Sequence, residues 1–158
     1  ITREVAEAVG FAAGEVDGPI YLAGHSAGGH LVSRLMAAPA SLPEEAQRRI
    51  AHVVSISGLH DLRPLMKTTM NETLKIAAAE ALAESPALLE PLANTRITCW
   101  VGAVERAEFV RQNALLANVW CGLGAATAEI VEANRHHFNV IEGLTDPRSP
   151  LTTALFEA

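Results

Sequence analysis

One stretch, Pro19–Leu35 (PIYLAGHSAGGHLVSRL), constrains the fold more than any other. Ile20 to Ala23 is a short apolar run with β-branched and aromatic members, which reads as a buried strand. His30 to Ala38 reads as a helix, with Leu31, Leu35 and Met36 on one face. Only Gly24 to Gly29 is left to carry the chain from one element into the other. So tight a strand-to-helix turn leaves little room for side chains at its flanks, hence the glycines. At its centre Gly24-His25-Ser26-Ala27-Gly28 matches G-x-S-x-G, in which a strained serine holds its hydroxyl clear of a sheet. The bare pattern is weak. A strand just before it and a helix just after it make it strong, against the alternative of a Gly-rich turn with an incidental serine.

The rest of the chain repeats the strand–helix alternation. Residues 2–14 form an amphipathic helix on Val5, Ala8, Val9 and Ala12, and Asp17-Gly18-Pro19 is a turn. Pro39 and Pro43 end the helix after the serine, and residues 44–49 make a polar helical turn. AHVVSISG (51–58), RITCWVG (96–102) and residues 126–131 are expected strands. Helices are expected from about Asn71 to Ala83, over 107–120 and over 150–156, with Val140-Ile141 in a loop or short extended piece. This alternation argues for βαβ units and a parallel sheet, and the continuous apolar strands for a sheet covered on both faces.

Length and composition limit what such a chain does. Its 158 residues, 49% hydrophobic and 19% charged, fit one globular domain. A net charge of −6 argues against nucleic acid as a partner. No apolar run approaches the roughly 18 residues of a spanning helix, and no basic amphipathic helix points to a membrane surface. Cys99 and Cys121 form no CxxC pair and read as reduced core thiols of a cytoplasmic protein. The chain opens at Ile1 inside a helix, without methionine, and is expected to be a piece of a longer one.

A serine hydroxyl is a poor nucleophile without a base. In chains with this elbow the acid follows the serine and the histidine comes last. His136 and His137 are the only histidines after residue 60, and order alone does not separate them. Glu105 and Asp61 each follow a strand and compete for the acid. Asp146 falls after the histidines, and Glu108 sits a turn into a helix. The Ala27 N–H, at the positive end of the helix, is the expected donor to an oxyanion.

Five blocks in order, GHSAGGHL, SGLHDLRPL, MNETLKI, VGAVERAEFVRQ and HHFNVIEGL, carry a resemblance over nearly the whole chain. The chain resembles the α/β-hydrolase esterases of the kynurenine formamidase (arylformamidase) type. The resemblance implies an α/β-hydrolase fold, a mostly parallel sheet with helices on both faces. The N-terminal strands of that sheet are not expected here, and residues 1–158 are expected to be the C-terminal portion of a single domain. It places the acid two residues before a Pro-Glu-Phe-like segment, here Ala107 to Phe109, which selects Glu105 where many relatives carry Asp. It places the histidine directly before a phenylalanine, which selects His137, followed by Phe138. The family's further oxyanion donors come from an upstream His-Gly-Gly loop. No such loop exists here, since Gly28-Gly29-His30 belongs to the elbow helix, and these residues alone are not expected to make a competent enzyme.

The reading is therefore a serine hydrolase of a carboxylic ester or activated amide, working through Ser26, His137 and Glu105 with Ala27 in the oxyanion hole. Two others stand beside it: an N-formylkynurenine formamidase specifically, and a non-catalytic α/β-hydrolase-like binding module. No cofactor or metal is expected, because His60-Asp61 lacks a third ligand at useful spacing. The expected partner is a small-molecule ester or amide, and a homodimer is compatible with the sequence. Of the remaining residues, His25 is expected beside the strand ends, His30 in a structural role and His52 at the surface or an edge. Met66 and Met70 are candidates for a substrate pocket.

Overall fold

The computed structural model describes residues 1–156. Its centre is a four-stranded parallel sheet in the order β1-β2-β3-β4, with β1 Ile20–His25, β2 Ile50–Ile56, β3 Arg96–Gly102 and β4 Ala126–Glu132. Parallel neighbours need long crossovers. These are supplied by α2 (Ala27–Leu35) with α3 (Glu44–Arg49), by residues 57–95, and by α6 (Ala107–Gly122). α1 (Thr2–Glu15) precedes the sheet and α7 (Pro150–Phe156) comes after it.

Alternation along the central strands divides the core into two layers. Val53, Ile97 and Cys99 point to one face, where they pack with Val32 and Met36 and with Leu116 and Trp120 of α6. Val54, Ile56 and Trp100 point to the other, against Val140 and Leu151 and Leu155 of α7. Helices thus cover both faces of β2 and β3, as their uninterrupted apolar sequences require. The expectation of a fully covered sheet does not extend to β4, an edge strand whose Ile130 and Val131 are exposed. A smaller cluster of Ala6, Leu35 and Leu42 seats α1. Arg49 closes the end of that helix by donating to the carbonyls of Ala13, Val16 and Gly18.

Three further expectations need correction. The helix expected over 71–83 is broken into α4 (Asn71–Leu74) and α5 (Ala78–Ala83). The Asn71 side chain clasps Ile76, accepting from its N–H at 2.7 Å and donating to its carbonyl at 3.3 Å, while Lys75 turns left-handed at φ 54°. A side-chain amide that outcompetes the helical hydrogen bond ends a helix whatever the propensity of the residues beyond it. Val140–Thr145 is a short 3₁₀ helix rather than an extended piece. His52 is buried, its ring between the Thr98 hydroxyl (3.1 Å) and the Leu155 carbonyl (3.4 Å).

The register sets the stage for the site. His25 pairs with Ile56, Ile56 with Trp100, and Gly102 with Glu132. The four strands therefore end within two residues of one another, and the turns leaving them lie at one rim, where open parallel sheets hold their ligands.

Candidate active site

Ser26 lies between β1 and α2 with φ 56° and ψ −114°, a positive-φ backbone outside the left-handed helical region that non-glycine residues adopt at a cost of about 1–3 kcal/mol. The sheet holds it there, because its N–H continues the ladder to the Ile56 carbonyl at 2.9 Å. A Cβ on Gly24 would stand 2.1 Å from the Gly28 carbonyl oxygen, so this glycine is obligatory. The second flank differs from expectation. Gly28 faces open space, whereas a Cβ on Gly29 would meet the Gly58 backbone at 2.8 Å and the Ser55 hydroxyl at 2.9 Å. Gly29, outside the G-x-S-x-G pattern, is the glycine that lets α2 lie against β2. Ala27 opens that helix, and its N–H has no intrahelical partner.

His137 comes from the turn after β4, and its ring spans the gap between two other strand ends. Its Nε2 lies 3.1 Å from the Ser26 Oγ, and its Nδ1 lies 2.7 Å from Glu105 Oε2. A carboxylate accepts only, so Nδ1 carries the proton and Nε2 is left to accept from the serine hydroxyl. Phe109 packs against the ring face at a centroid distance of 4.3 Å, and the exposed Phe138 meets its edge at 5.5 Å.

Glu105 stands three residues beyond β3 with its side chain wholly buried. Each carboxylate oxygen is occupied. Oε2 takes the imidazole, while Oε1 accepts from the Ser57 hydroxyl at 2.5 Å and the Gly102 N–H at 2.8 Å. Ser57 comes directly after β2, also at positive φ (50°), with its N–H on the Trp100 carbonyl. Gly102 has a second role. A Cβ there would lie 2.3 Å from the Arg135 carbonyl, the close approach that brings the histidine turn against the acid turn. That turn is braced from within, with the His136 N–H on Asn139 Oδ1 and the Phe138 and Asn139 N–H groups facing His136 Nδ1.

The competitors lie elsewhere. Asp61 accepts from the Arg63 backbone N–H and guanidinium, which hold its carboxyl below the usual range. Glu108 pairs with Arg111 and Gln112. His30 faces the Leu59 carbonyl at 2.9 Å, and burial lowers its pKa. Leu31, Leu59, Leu62, Leu65, Leu74 and Ile76 help line a cleft of about 550 Å³ that reaches the elbow at Ala27. Met66 and Met70 are not on it, and Met70 is exposed. Cys99 is a buried thiol, but Cys121 lies exposed on α6 rather than in the core. Among the described residues no cluster of three or more His, Cys, Asp or Glu could hold a metal ion, and no helix is long and apolar enough to cross a membrane.

Sequence reasoning missed the supporting residues Ser57, Phe109 and Gly29. Their signal is tertiary: Ser57 and Gly29 matter only once the strands are in register, and Phe109 only once the turn after β4 lies against α6.

No family model matches the chain. It is 31% identical over 145 residues to a kynurenine formamidase of Danio rerio and 32% identical over 148 residues to one of Salmo salar. Each match takes in 87% of this chain and 48% and 49% of the relative, so the chain spans about half the length of these curated relatives. The crystal structure of a provisionally assigned thioesterase from Silicibacter sp. TM1040 is 46% identical with a TM-score of 0.91, over 98% of this chain and 57% of that one. Sheet, crossovers and strand-end elbow make this chain an α/β-hydrolase. Within that class its similarity is to the kynurenine formamidases named above.

Proposed function

We propose that the protein is a serine hydrolase that cleaves a carboxylic ester or an activated amide through an acyl-enzyme. Ser26 Oγ attacks the carbonyl carbon as His137 Nε2 takes its proton. The Ala27 N–H donates to the oxygen that gains the negative charge. The tetrahedral intermediate collapses, His137 returns the proton to the leaving oxygen or nitrogen, and Ser26 keeps the acyl group as an ester. Water, deprotonated by the same ring, repeats the sequence and releases the acid. Glu105 keeps the proton on Nδ1 and stabilises the imidazolium at each step. On this reading the chain is the C-terminal portion of one α/β-hydrolase domain.

One observation carries the proposal: the unbroken run from the Ser26 hydroxyl through both nitrogens of His137 to a buried carboxylate. The apolar cleft at Ala27 supports a substrate with an apolar substituent. The narrower reading, hydrolysis of N-formylkynurenine, is favoured by the two formamidase relatives. The test is hydrolysis by the full-length protein of p-nitrophenyl esters of rising acyl length and of N-formylkynurenine. The reading expects turnover that disappears in Ser26→Ala; turnover retained in that variant contradicts it. A kcat/KM for N-formylkynurenine at least about tenfold above the best ester selects the formamidase.

A further inference from the structure

We infer that His25, the residue before the serine, is a positioning residue that ties the turn carrying His137 to the strand end carrying Ser26. The inference rests on the proposed roles of Ser26, His137 and Glu105. The His137 main chain belongs to no strand or helix, so its distance from Ser26 depends on what anchors the turn. Glu105 and the contact between Val104 and Arg135 hold the side towards β3. On the side towards β1 the anchor is the ring of His25. Its Nε2 lies 2.7 Å from the His137 carbonyl oxygen, across 112 residues of sequence.

A carbonyl only accepts, so Nε2 carries the hydrogen and donates it. His25 closes β1 and the next residue is the nucleophile, so this hydrogen bond fixes the spacing of base and serine through one peptide unit. The two imidazoles also pack at a centroid distance of 4.6 Å and a tilt of 41°. A charged neighbour there would oppose the imidazolium that forms on His137 during attack. Burial lowers the His25 pKa, which favours the neutral ring. A neutral donor of this reach serves as an anchor without electrostatic penalty to the base.

A substrate contact by His25 would show in KM, and plain packing would be satisfied by any ring. His25→Phe keeps the ring and removes the donor; His25→Gln loses the ring and places an amide N–H at about the reach of Nε2. In the full-length protein, with p-nitrophenyl acetate as substrate and active sites counted by fluorophosphonate, His25→Phe is expected to lose about 10- to 100-fold in kcat with KM within about twofold. His25→Gln is expected to recover most of that loss. Amide hydrogen exchange of a peptide over residues 133–142 gives a readout independent of turnover, faster in His25→Phe and restored in His25→Gln. The inference is overturned by unchanged kcat and exchange in His25→Phe, by a change in KM alone, or by a His25→Gln as slow as His25→Phe. Ser26→Ala run alongside separates the two levels: turnover independent of Ser26 removes the proposed function, while a Ser26-dependent enzyme indifferent to His25 removes only this inference.

Discussion

Among the described residues two serines lie within hydrogen-bond reach of a histidine ring, and the two pairs differ in almost everything but composition. At the rim, Ser26 Oγ lies 3.1 Å from His137 Nε2. In the interior, Ser55 Oγ lies 3.4 Å from His60 Nε2. The Ser55 hydroxyl spends its proton on the Gly29 carbonyl at 3.0 Å, so it offers none to the imidazole. His60 Nδ1 is buried without a partner, where His137 Nδ1 has Glu105. Both members of the inner pair are fully buried, and desolvation pushes the His60 pKa down to about 3. The rim pair has the opposite setting: a serine in a strained turn, a ring partly open to solvent, and a carboxylate behind it. What marks a nucleophile is the direction of its proton and the acid behind the base, and proximity of the two residue types is not enough.

The comparison is broken most severely at the serines. Ser26→Ala is expected to lose about 10⁵- to 10⁶-fold in kcat, whereas Ser55→Ala stays within about threefold. A steady-state assay of both variants checks this, and comparable losses would erase the distinction. Glu105→Gln comes next. It keeps the shape but leaves Nδ1 free to take the wrong tautomer, and about 10⁴-fold in kcat is expected to go. Ser57→Ala leaves Oε1 with the Gly102 N–H alone, removing a hydrogen bond to a charged group, and about a tenfold fall in kcat is expected. A Ser57→Ala enzyme of full activity would show that the Gly102 contact suffices.

The smallest effect on turnover belongs to His60. Its folded pKa lies below the unfolded value of about 6.5, so between pH 6.5 and about 3 the unfolded chain binds the extra proton. The stability due to a neutral His60 is complete above pH 6.5 and is lost as pH falls through that window. Urea midpoints measured at pH 7.5 and pH 4.5 are expected to fall for the wild type and to fall less for His60→Leu, with kcat changed by less than about threefold. An equal fall in both proteins would remove His60 from the acid response.

These differences mark how far the sequence is legible. The elbow is local, so strand, turn and helix could be read from one short run of residues, and the alternation of elements pointed to a parallel sheet. The choice of Glu105 over Asp61, and of His137 over His136, came from resemblance, because chain order leaves both open. The role of Ser57 could not be read at all, and of His25 only its place beside the strand ends could. One reaches its partner across the β2–β3 register, the other across 112 residues. The same holds for Gly29, whose need for a bare Cα is set by β2. The break at Lys75 was hidden for a different reason, since helix propensity in 71–83 is high and a single asparagine side chain overrides it.

The central claim, that Ser26 is activated through His137, is tested most directly by reacting the folded full-length protein with a fluorophosphonate and mapping the adduct by mass spectrometry. The account predicts a single adduct on Ser26, approaching one per chain, formed slowly in Glu105→Gln and absent after unfolding. A folded protein that leaves Ser26 unmodified, or that labels Ser26 no faster than Ser55, contradicts it.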